Sequence, residues 1–295
     1  MKNQNVLIIA NPCSGKGKAR KIAPKVAAMI AEAGGKVSLM FTEAQGNARL
    51  FAAECECDVI VVIGGDGTLN EVVSGVVSAR RSDVNIGYVP MGSTNDFARS
   101  LKISRKWKKA VKSIIVGGPK AIDVCKFNDD YFTYAAAYGI FAETSCSVNQ
   151  RFKNRFGFMA YVIRAAREVF RKNNFHVKLE VDGRVVDDYY ALCGFTNTRS
   201  LGRVLKFKDS IVAMDDGVFE ILLVKKPKNL WQLMRMLSKL SKSEWCGDGL
   251  EMIHAGKAKV IVEDEMLWSL DGEKRMLKSD IEIKNLHKAI NIILN

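Results

Sequence analysis

The sequence lacks any hydrophobic run long enough to cross a membrane. Its 295 residues contain no stretch approaching the roughly 20 apolar residues that a spanning helix requires. The longest candidate runs only from Tyr134 to Ala142. The first residues also lack the small-residue cleavage site of a signal peptide. We therefore expect a cytoplasmic protein whose contact with any membrane is peripheral.

Histidine and paired cysteine are scarce as well, which limits the available bases and metal ligands. The chain has 7 cysteines, and its close pair, Cys55 and Cys57, is spaced too tightly for a normal zinc site. An odd number of cysteines without a zinc pattern is typical of free thiols in a reducing compartment. The three histidines, His176, His254 and His287, lie outside every motif described below, so histidine is not expected to act as a base.

Positive charge is abundant. The chain has 45 Lys and Arg against 32 Asp and Glu, a net charge of +13. Such an excess indicates a polyanionic partner, namely nucleic acid, anionic lipid or the phosphates of a nucleotide. Basic residues cluster around Trp107 and again within residues 151–172. Solvated helix faces and attraction to anionic membrane lipids are both open explanations for these clusters.

Residues 1–123 alternate apolar runs with helical periodicity. Continuous runs such as Val6–Ala10 and Val59–Ile63 are typical of strands buried on both faces. Strands separated by helices predict a parallel, doubly wound sheet, in which ligands bind beyond the carboxyl ends of the strands. The regular part of the first helix should begin near Pro24, because proline is tolerated in a first turn. Strands are predicted at 6–10, 36–42, 59–63 and 86–89, with further helices within 47–56 and 69–79.

Residues 124–295 have a different pattern, which predicts a second, mostly antiparallel domain whose last residues can pack back on the first. Turn signals such as Asp182-Gly183 separate short apolar runs. The predicted strands are 131–138, 175–181, 189–194, 218–224 and 257–263, and the predicted helices are 152–171 and 228–242.

The loop after the first strand reads N-P-C-S-G-K-G-K from Asn11 to Lys18. Its glycines let backbone N–H groups approach phosphates, and the following helix N-terminus adds partial positive charge. It is not a Walker A loop, because that motif requires glycine at Pro12 and serine or threonine at Ala19.

Two similar loops follow the third and fourth strands. One reads G-G-D-G-T-L-N-E from Gly64 to Glu71, and its Asp66 can hold magnesium directly or through water. The other reads P-M-G-S-T-N-D-F-A-R from Pro90, with Thr94 or Asn95 as the helix cap. Packing alone does not explain three such loops at neighbouring strand ends, so we predict a nucleotide site there.

With these three loops, the sequence resembles the catalytic domain of the diacylglycerol kinase family, which also includes sphingosine, ceramide and related bacterial lipid kinases. The segment from Gly64 to Val73 is the most specific part. Later matches are the triplets beginning at Asp215 and Asp271, and the resemblance spans nearly the whole chain. It implies a nucleotide-binding α/β domain followed by a β-sandwich domain, with the active site between them.

The resemblance further implies an ATP- and Mg²⁺-dependent lipid kinase, with diacylglycerol as the first choice of acceptor and Glu273 as the general base. Ser93 stands where the family commonly has threonine, which keeps the hydroxyl. Carried onto matching positions, the catalytic magnesium network falls on Asp66, Asp96 and Asp123, a structural magnesium falls on Asp215 and Asp216, and the nucleotide contacts fall on Asn11, Pro12, Cys13, Ser14, Gly15, Thr42, Gly65, Asp66, Gly67, Thr68, Leu69, Asn70, Glu71 and Ser93.

The expected partners are a lipid substrate at a membrane surface and anionic membrane lipids, while the oligomeric state, including a homodimer, stays open. No accessory lipid-binding domain is evident, so membrane recruitment should come from the catalytic unit itself. Apolar residues of the second domain offer a rim for acyl chains, although core packing explains them equally well. These residues are Phe152, Phe156, Phe158, Met159, Tyr161 and Val162.

Several alternatives remain. The acceptor could be a sphingoid base, ceramide or phosphatidylglycerol. NAD kinase also has a Gly-Gly-Asp-Gly-Thr loop, but the Leu69-Asn70-Glu71 continuation favours the lipid group and no second NAD-reading motif follows. A nucleotide-binding regulator or nucleic-acid-binding protein would explain the charge, yet no helix-turn-helix, zinc finger or base-stacking motif is evident, and nucleic acid is not expected.

Overall fold

The structure, a computed structural model, describes residues 1–139, 174–201, 205–208, 211–262 and 265–295. The predicted helix at 152–171, the basic segment within 151–172 and the proposed acyl-chain rim lie outside the described residues. Within the described part of the chain, no helix is both long and apolar enough to cross a bilayer.

The first half of the chain forms the predicted doubly wound sheet. Its first four strands are parallel and hydrogen-bonded in the order β2-β1-β3-β4. Apolar side chains bury both faces, as the continuous runs predict. The elements are β1 (Asn5–Ala10), α1 (Lys18–Glu32), β2 (Lys36–Phe41), α2 (Asn47–Glu54), β3 (Val59–Gly64), α3 (Asp66–Ser78), β4 (Asn85–Pro90), α4 (Asp96–Ser100), α5 (Trp107–Val116) and β5 (Gly118–Phe127).

Two of these helices begin earlier than the sequence predicts. Helix α1 starts at Lys18 and contains Pro24 in its interior, so the expectation of a start near Pro24 is wrong. Because proline has no backbone N–H, Pro24 cannot donate a hydrogen bond to the carbonyl of the residue four positions earlier. That residue, Arg20, is exposed, so water can satisfy the carbonyl. Helix α3 starts at Asp66 rather than near 69, which brings the predicted phosphate loop into its first turn.

The second half is dominated by antiparallel strands. Within the described residues, a seven-stranded antiparallel sheet has the order β14-β15-β13-β10-β7-β17-β18. The elements are β6 (Asp130–Phe132), β7 (Ala135–Gly139), β8 (Phe175–Val181), β9 (Arg184–Tyr190), β10 (Leu192–Thr196), β11 (Ser200–Leu201), β12 (Leu205–Lys206), β13 (Phe219–Val224), α6 (Leu230–Ser241), β14 (Cys246–Gly247), β15 (Leu250–Ala255), β16 (Lys257–Ile261), β17 (Met266–Leu270), β18 (Glu273–Leu277) and β19 (Ile281–Leu294).

This sheet packs against the antiparallel continuation of the large sheet and forms the predicted β-sandwich. The large sheet continues past β4 through β19, β16, β8 and β9. Trp268 is fully buried between the two layers. Its ring centroid lies 4.6 Å from that of Tyr138 and 5.0 Å from that of Phe127. Asp182 and Gly183 form the predicted tight turn between β8 and β9, both with positive φ.

The large sheet runs without interruption from the first half of the chain into the second. Strand β5 extends from Gly118 to Phe127, across the predicted boundary at 123/124. Strand β19 pairs antiparallel with β5 and β16, and residues 291–292 pair parallel with β4. The C-terminal strand therefore ties the two halves together, and the division into domains stays a prediction.

Two predicted strands are interrupted. The predicted strand at 131–138 splits into β6 and β7, because the backbone N–H groups of Thr133, Tyr134 and Ala135 bind the carboxylate of Asp271 instead of a neighbouring strand. The predicted strand at 189–194 spans the corner at Ala191, where β9 ends and β10 begins.

Candidate active site

The three glycine-containing loops meet at the carboxyl ends of β1, β3 and β4. The backbone N–H of Asn11 donates to the Ile63 carbonyl at 2.9 Å, and that of Met91 donates to the Gly64 carbonyl at 2.7 Å. The second and third loops touch at two glycines, since a Cβ on Gly92 would lie 2.7 Å from the Cα of Gly65. Any side chain at position 92 would therefore push these loops apart.

Asn11 connects the first loop to the second. Its side-chain oxygen accepts a hydrogen bond from the Cys13 backbone N–H at 3.0 Å, and its amide donates to the Thr68 hydroxyl at 3.3 Å. Gly15 and Gly17 both have positive φ, so the chain turns sharply before α1. The loop thus holds its backbone close to the start of α3.

The second loop forms the beginning of α3. Gly65 is the N-cap residue, and Asp66 is the first helical residue. The N–H groups of a first helical turn have no partners within the helix and attract anions. Thr68 packs against Gly64, where an added Cβ would lie 2.6 Å from the threonine Cβ. This strand–loop–helix junction can cradle phosphate.

Asp66 and Asp96 bring two carboxylates together at this junction. One carboxylate oxygen of Asp66, Oδ1, is buried and has no hydrogen-bond partner within the described part of the chain. Burial and the charge of Asp96 raise the pKa of Asp66 to about 6, although backbone hydrogen bonds from Asn95, Asp96 and Phe97 oppose the shift. Asp96 is itself buried and accepts a hydrogen bond from the Ser200 hydroxyl at 3.1 Å. An unpaired carboxylate oxygen beside a second carboxylate fits a hard divalent cation.

Asn95 shapes the third loop. It has a left-handed backbone (φ 52°) at the N-cap position of α4, but its side chain makes no capping bond to the helix. Its amide instead donates to the Gly92 carbonyl at 2.9 Å. Asn95 therefore closes the loop on itself, while Ser93 is left exposed.

Three predicted nucleotide contacts have side chains engaged within the fold. Leu69 is fully buried in the core. The Asn70 amide donates to the Tyr131 carbonyl at 3.2 Å, linking α3 to β6. The Glu71 carboxylate accepts from the backbone N–H of Ala48 at 3.1 Å, which satisfies an otherwise unpaired donor in the first turn of α2. Contact of these residues with a nucleotide stays a prediction.

Glu273 lies across from the loop that follows β2. It is exposed at the start of β18, and the side-chain amide of Gln45 donates to its two carboxylate oxygens at 3.2 and 3.3 Å. Thr42 begins the same loop, and its backbone N–H donates to the Ala10 carbonyl at 3.0 Å. The sequence reading missed Gln45, for which no local pattern exists.

Asp271 anchors the turn that presents Glu273, a role that sequence reasoning also missed. Its buried carboxylate accepts hydrogen bonds from the Thr133 N–H and hydroxyl at 2.7 and 2.8 Å, and from the N–H groups of Tyr134 and Ala135 at 3.0 Å. Burial raises the pKa of Asp271 to about 6 against these hydrogen bonds, which lower it. Asp271 and Gly272 both have positive φ, as a tight turn between strands requires.

Asp123 joins the turn at residues 215–217 to β19. Its carboxylate accepts from the backbone N–H groups of Gly217 and Lys288, both at 2.7 Å, and Nδ1 of His287 lies 3.1 Å from Oδ1. These partners place Asp123 beside the other predicted metal site. Its membership of a network with Asp66 and Asp96 stays a prediction.

At that second site, Asp215 forms an ion pair with Lys120 at 3.0 Å, and Asp216 accepts from the Val218 N–H at 3.2 Å. Among the described residues, no group of three or more His, Cys, Asp and Glu side chains is placed to hold a metal ion. A cation at the Asp215-Asp216 turn would therefore need carbonyl or water ligands in addition to the carboxylates.

Comparison with known proteins identifies the family. Residues 5–127 match the diacylglycerol kinase catalytic domain, and residues 135–293 match the YegS C-terminal NAD kinase beta sandwich-like domain. The diacylglycerol kinase of Bacillus subtilis (strain 168) is 31% identical over 292 residues, covering 97% of this chain and 95% of the relative. That of Staphylococcus carnosus (strain TM300) is 32% identical over 279 residues, covering 90% of this chain and 87% of the relative.

Solved structures extend the likeness to the fold. The crystal structure of a diacylglycerol kinase from Bacillus anthracis str. Sterne superimposes with a TM-score of 0.80 at 26% identity, covering 100% of this chain and 98% of that one. Sequence and fold therefore agree along almost the entire length. The chain belongs to the diacylglycerol kinase catalytic-domain family.

Proposed function

We propose that this chain is an ATP- and Mg²⁺-dependent lipid kinase that phosphorylates the hydroxyl of diacylglycerol and forms phosphatidic acid. The proposal rests on the buried Oδ1 of Asp66, which has no hydrogen-bond partner among the described residues and lies beside Asp96 where three glycine-containing loops meet. The names of the relatives supply the acceptor, since both bacterial enzymes described above are diacylglycerol kinases.

The phosphates of ATP would lie over the first turn of α3, where backbone N–H groups and the helix dipole favour negative charge. Gly65 and Gly92 approach closely because neither has a side chain, and a Cβ added at Gly67 would meet no atom within 4 Å. We assign the nucleotide contacts to Asn11–Gly15, Thr42, Gly65–Glu71 and Ser93 on the strength of the family motif.

Asp66 and Asp96 are the residues that would hold a catalytic Mg²⁺, which supplies charge neutralisation at the phosphate oxygens. Asp66 must lose its proton to do so, because only the ionised carboxylate can bind the cation. Asp123 would orient the edge of this site through the backbone groups of Gly217 and Lys288. A second, structural Mg²⁺ would be held at Asp215 and Asp216.

Glu273 would accept the proton of the lipid hydroxyl. The new bond forms between that hydroxyl oxygen and the γ-phosphorus while the bond from phosphorus to the departing ADP oxygen breaks. Gln45 holds the carboxylate of Glu273 through both oxygens, so the acceptor hydroxyl would replace one of these contacts. Asp271 fixes the turn, which keeps Glu273 in place during the reaction.

The acceptor would be reached from a membrane surface by peripheral association. The net charge of +13 suits anionic lipids, each basic residue near such a surface contributing about 1 kcal/mol. We retain the division into an ATP-binding part, residues 1–123, and a lipid-substrate part, residues 124–295, as a functional division. Structurally the two share β5 and β19.

The test is transfer of labelled γ-phosphate from ATP and Mg²⁺ to a panel of acceptors in mixed micelles. The panel contains diacylglycerol, monoacylglycerol, ceramide, sphingosine and phosphatidylglycerol, with soluble NAD as a control. We expect labelled phosphatidic acid, and we expect Asp66→Asn and Glu273→Gln to lower kcat by at least about a hundredfold. The matched control is Glu32→Gln, an exposed carboxylate at the end of α1. Label on NAD, or wild-type turnover in Glu273→Gln, would contradict the proposal.

A further inference from the structure

Helix α6 presents an apolar patch to solvent. Leu230, Trp231 and Met234 are 65%, 81% and 50% exposed. At 100° per residue they fall within an arc of about 100° on the helix surface. The opposite face is anchored in the protein by Leu233 and Met236, which are buried. The three exposed side chains therefore form one contiguous patch, named here the α6 patch.

Side-chain hydrogen bonds anchor the start of α6. Asn229 caps the helix, its side-chain oxygen accepting the Gln232 backbone N–H at 2.9 Å. The Gln232 side chain binds both the Lys228 backbone N–H, at 2.8 Å, and the Asp248 carbonyl, at 3.0 Å. The exposed apolar side chains thus belong to a capped helix whose first turn is bonded to Lys228 and Asp248.

The segment that includes α6 is rich in basic residues. Residues 225–242 contain six Lys and Arg and no Asp or Glu. Asp248 forms ion pairs with Arg235 and Lys239, both at 3.0 Å. Lys228 and Lys242 are exposed and have no ion-pair partner within the described part of the chain. Exposed tryptophan beside lysine is typical of a surface that inserts at the boundary of a bilayer.

The α6 patch is connected to the proposed site of phosphoryl transfer. Asp96 accepts a hydrogen bond from Ser200 in β11, β11 pairs with β12, and β12 contacts α6. The ring of Phe207, which follows β12, lies 5.8 Å from that of Trp245, which follows α6. The helix that carries the α6 patch is therefore linked through β12 and β11 to the region that includes Asp96.

We propose that the α6 patch docks on an anionic lipid bilayer, with Leu230, Trp231 and Met234 entering the headgroup boundary and Lys228 and Lys242 contacting lipid phosphates. A water-insoluble acceptor makes such a surface necessary, so the choice of a bilayer as partner rests on the proposed function. Apolar insertion provides most of the attraction, and the lysines provide the preference for anionic lipid.

The experiment is co-sedimentation of the full chain with vesicles of phosphatidylcholine alone or mixed with phosphatidylglycerol, without ATP or diacylglycerol. The apolar variant combines Trp231→Ala with Met234→Ser, and the matched control is Leu50→Ser, an exposed apolar residue of helix α2 that is 55% exposed. We expect the apolar variant to bind mixed vesicles at least about tenfold more weakly and the control to bind like the wild type.

A second pair of variants tests the charge. Lys228→Gln with Lys242→Gln should lower binding to mixed vesicles by about tenfold or more and leave binding to phosphatidylcholine unchanged. The control combines Lys2→Gln with Lys36→Gln, both exposed lysines. Far-ultraviolet circular dichroism would verify that each variant is folded.

Equal vesicle binding by the wild type and the apolar variant would overturn the proposal. The proposal would also be overturned if changing Trp231 lowered the oligomeric mass of the protein without affecting vesicle binding. In that case a second copy of the chain, and not a bilayer, would cover the α6 patch. Kinase activity is measured separately on a short-chain diacylglycerol dispersed in water. If the protein binds vesicles through the α6 patch but phosphorylates no lipid, the docking inference holds and the proposed function is wrong. If it phosphorylates lipid but does not bind vesicles through the α6 patch, the proposed function holds and the docking inference is wrong.

Discussion

Glu220 provides a sharp test of how burial controls ionisation in this fold. It is fully buried in β13, and neither carboxylate oxygen has a hydrogen-bond partner within the described part of the chain. Burial is the larger cause and the charge of Asp216 the smaller cause that raise the pKa of Glu220 from 4.5 to about 9. The side chain should therefore be neutral in the folded protein at pH 7 and ionised in the unfolded chain.

The direction of the pH effect follows from proton counting. Between pH 4.5 and about 9 the folded state binds one more proton than the unfolded state. Stability is therefore lost as the pH rises across that window. Each pH unit costs about 1.4 kcal/mol, so Glu220 alone should lower the free energy of unfolding by about 4 kcal/mol between pH 5 and pH 8. At pH 7 the accumulated cost is about 3 kcal/mol.

The variant Glu220→Gln keeps the shape of the side chain and removes the titration. We expect it to raise the free energy of unfolding at pH 7 by about 3 kcal/mol, and to change little at pH 5. Urea unfolding at pH 5 and pH 8 measures this. The matched control is Glu251→Gln, an exposed carboxylate on the neighbouring strand β15, which should keep the wild-type slope.

The competing arrangement is an ion pair with His254, whose Nδ1 lies 3.6 Å from Oε1 of Glu220. If that pair were charged in the folded protein, both Glu220→Gln and His254→Asn would lower the free energy of unfolding. A destabilised Glu220→Gln variant with an unchanged pH slope would refute the reasoning from burial.

Three further predictions concern ionisation and capping. The value of kcat/KM should fall as the pH drops below about 6, because Asp66 must be ionised to bind a cation. A profile that falls only near pH 4 would contradict this prediction. Glu71→Ala should cost about 1 kcal/mol in urea unfolding through loss of the bond to the Ala48 N–H, and a raised KM for ATP at unchanged stability would instead support nucleotide contact. Hydrogen bonding from Cys57 lowers the pKa of Cys55 to about 7, so iodoacetamide should modify Cys55 rapidly at pH 7, and Cys55→Ala should abolish that rapid phase.

The sequence alone predicts much of the first half of the fold. Strands β1 and β3 are apolar runs buried on both faces, and this property is visible in a few consecutive residues. The glycine-containing loops were found for the same reason, since they follow those strands directly. Pro24 shows the limit of local rules. Whether the Arg20 carbonyl that it leaves unpaired can reach water depends on which face of α1 is buried.

Long-range pairing accounts for most of what the sequence did not predict. The sequence does not predict strand β5, nine of whose ten residues pair with β19, more than 150 positions later in the chain. The split between β6 and β7 depends on Asp271, 136 residues or more away. Alternation of apolar and polar residues carries no information about such a partner.

By itself, the sequence determined the run of elements from β1 to β4 and the three glycine-containing loops that follow β1, β3 and β4, because each depends on neighbouring residues. Only the tertiary structure decided that Gln45 holds Glu273, 228 positions away, and that Glu71 caps α2. It also decided that Oδ1 of Asp66 is buried with no hydrogen-bond partner in the part of the chain that the structure describes. These facts depend on which surfaces pack together and on how much water they exclude. Burial and distant hydrogen bonds are properties of the folded chain, and burial is the main cause of the raised pKa of Asp66.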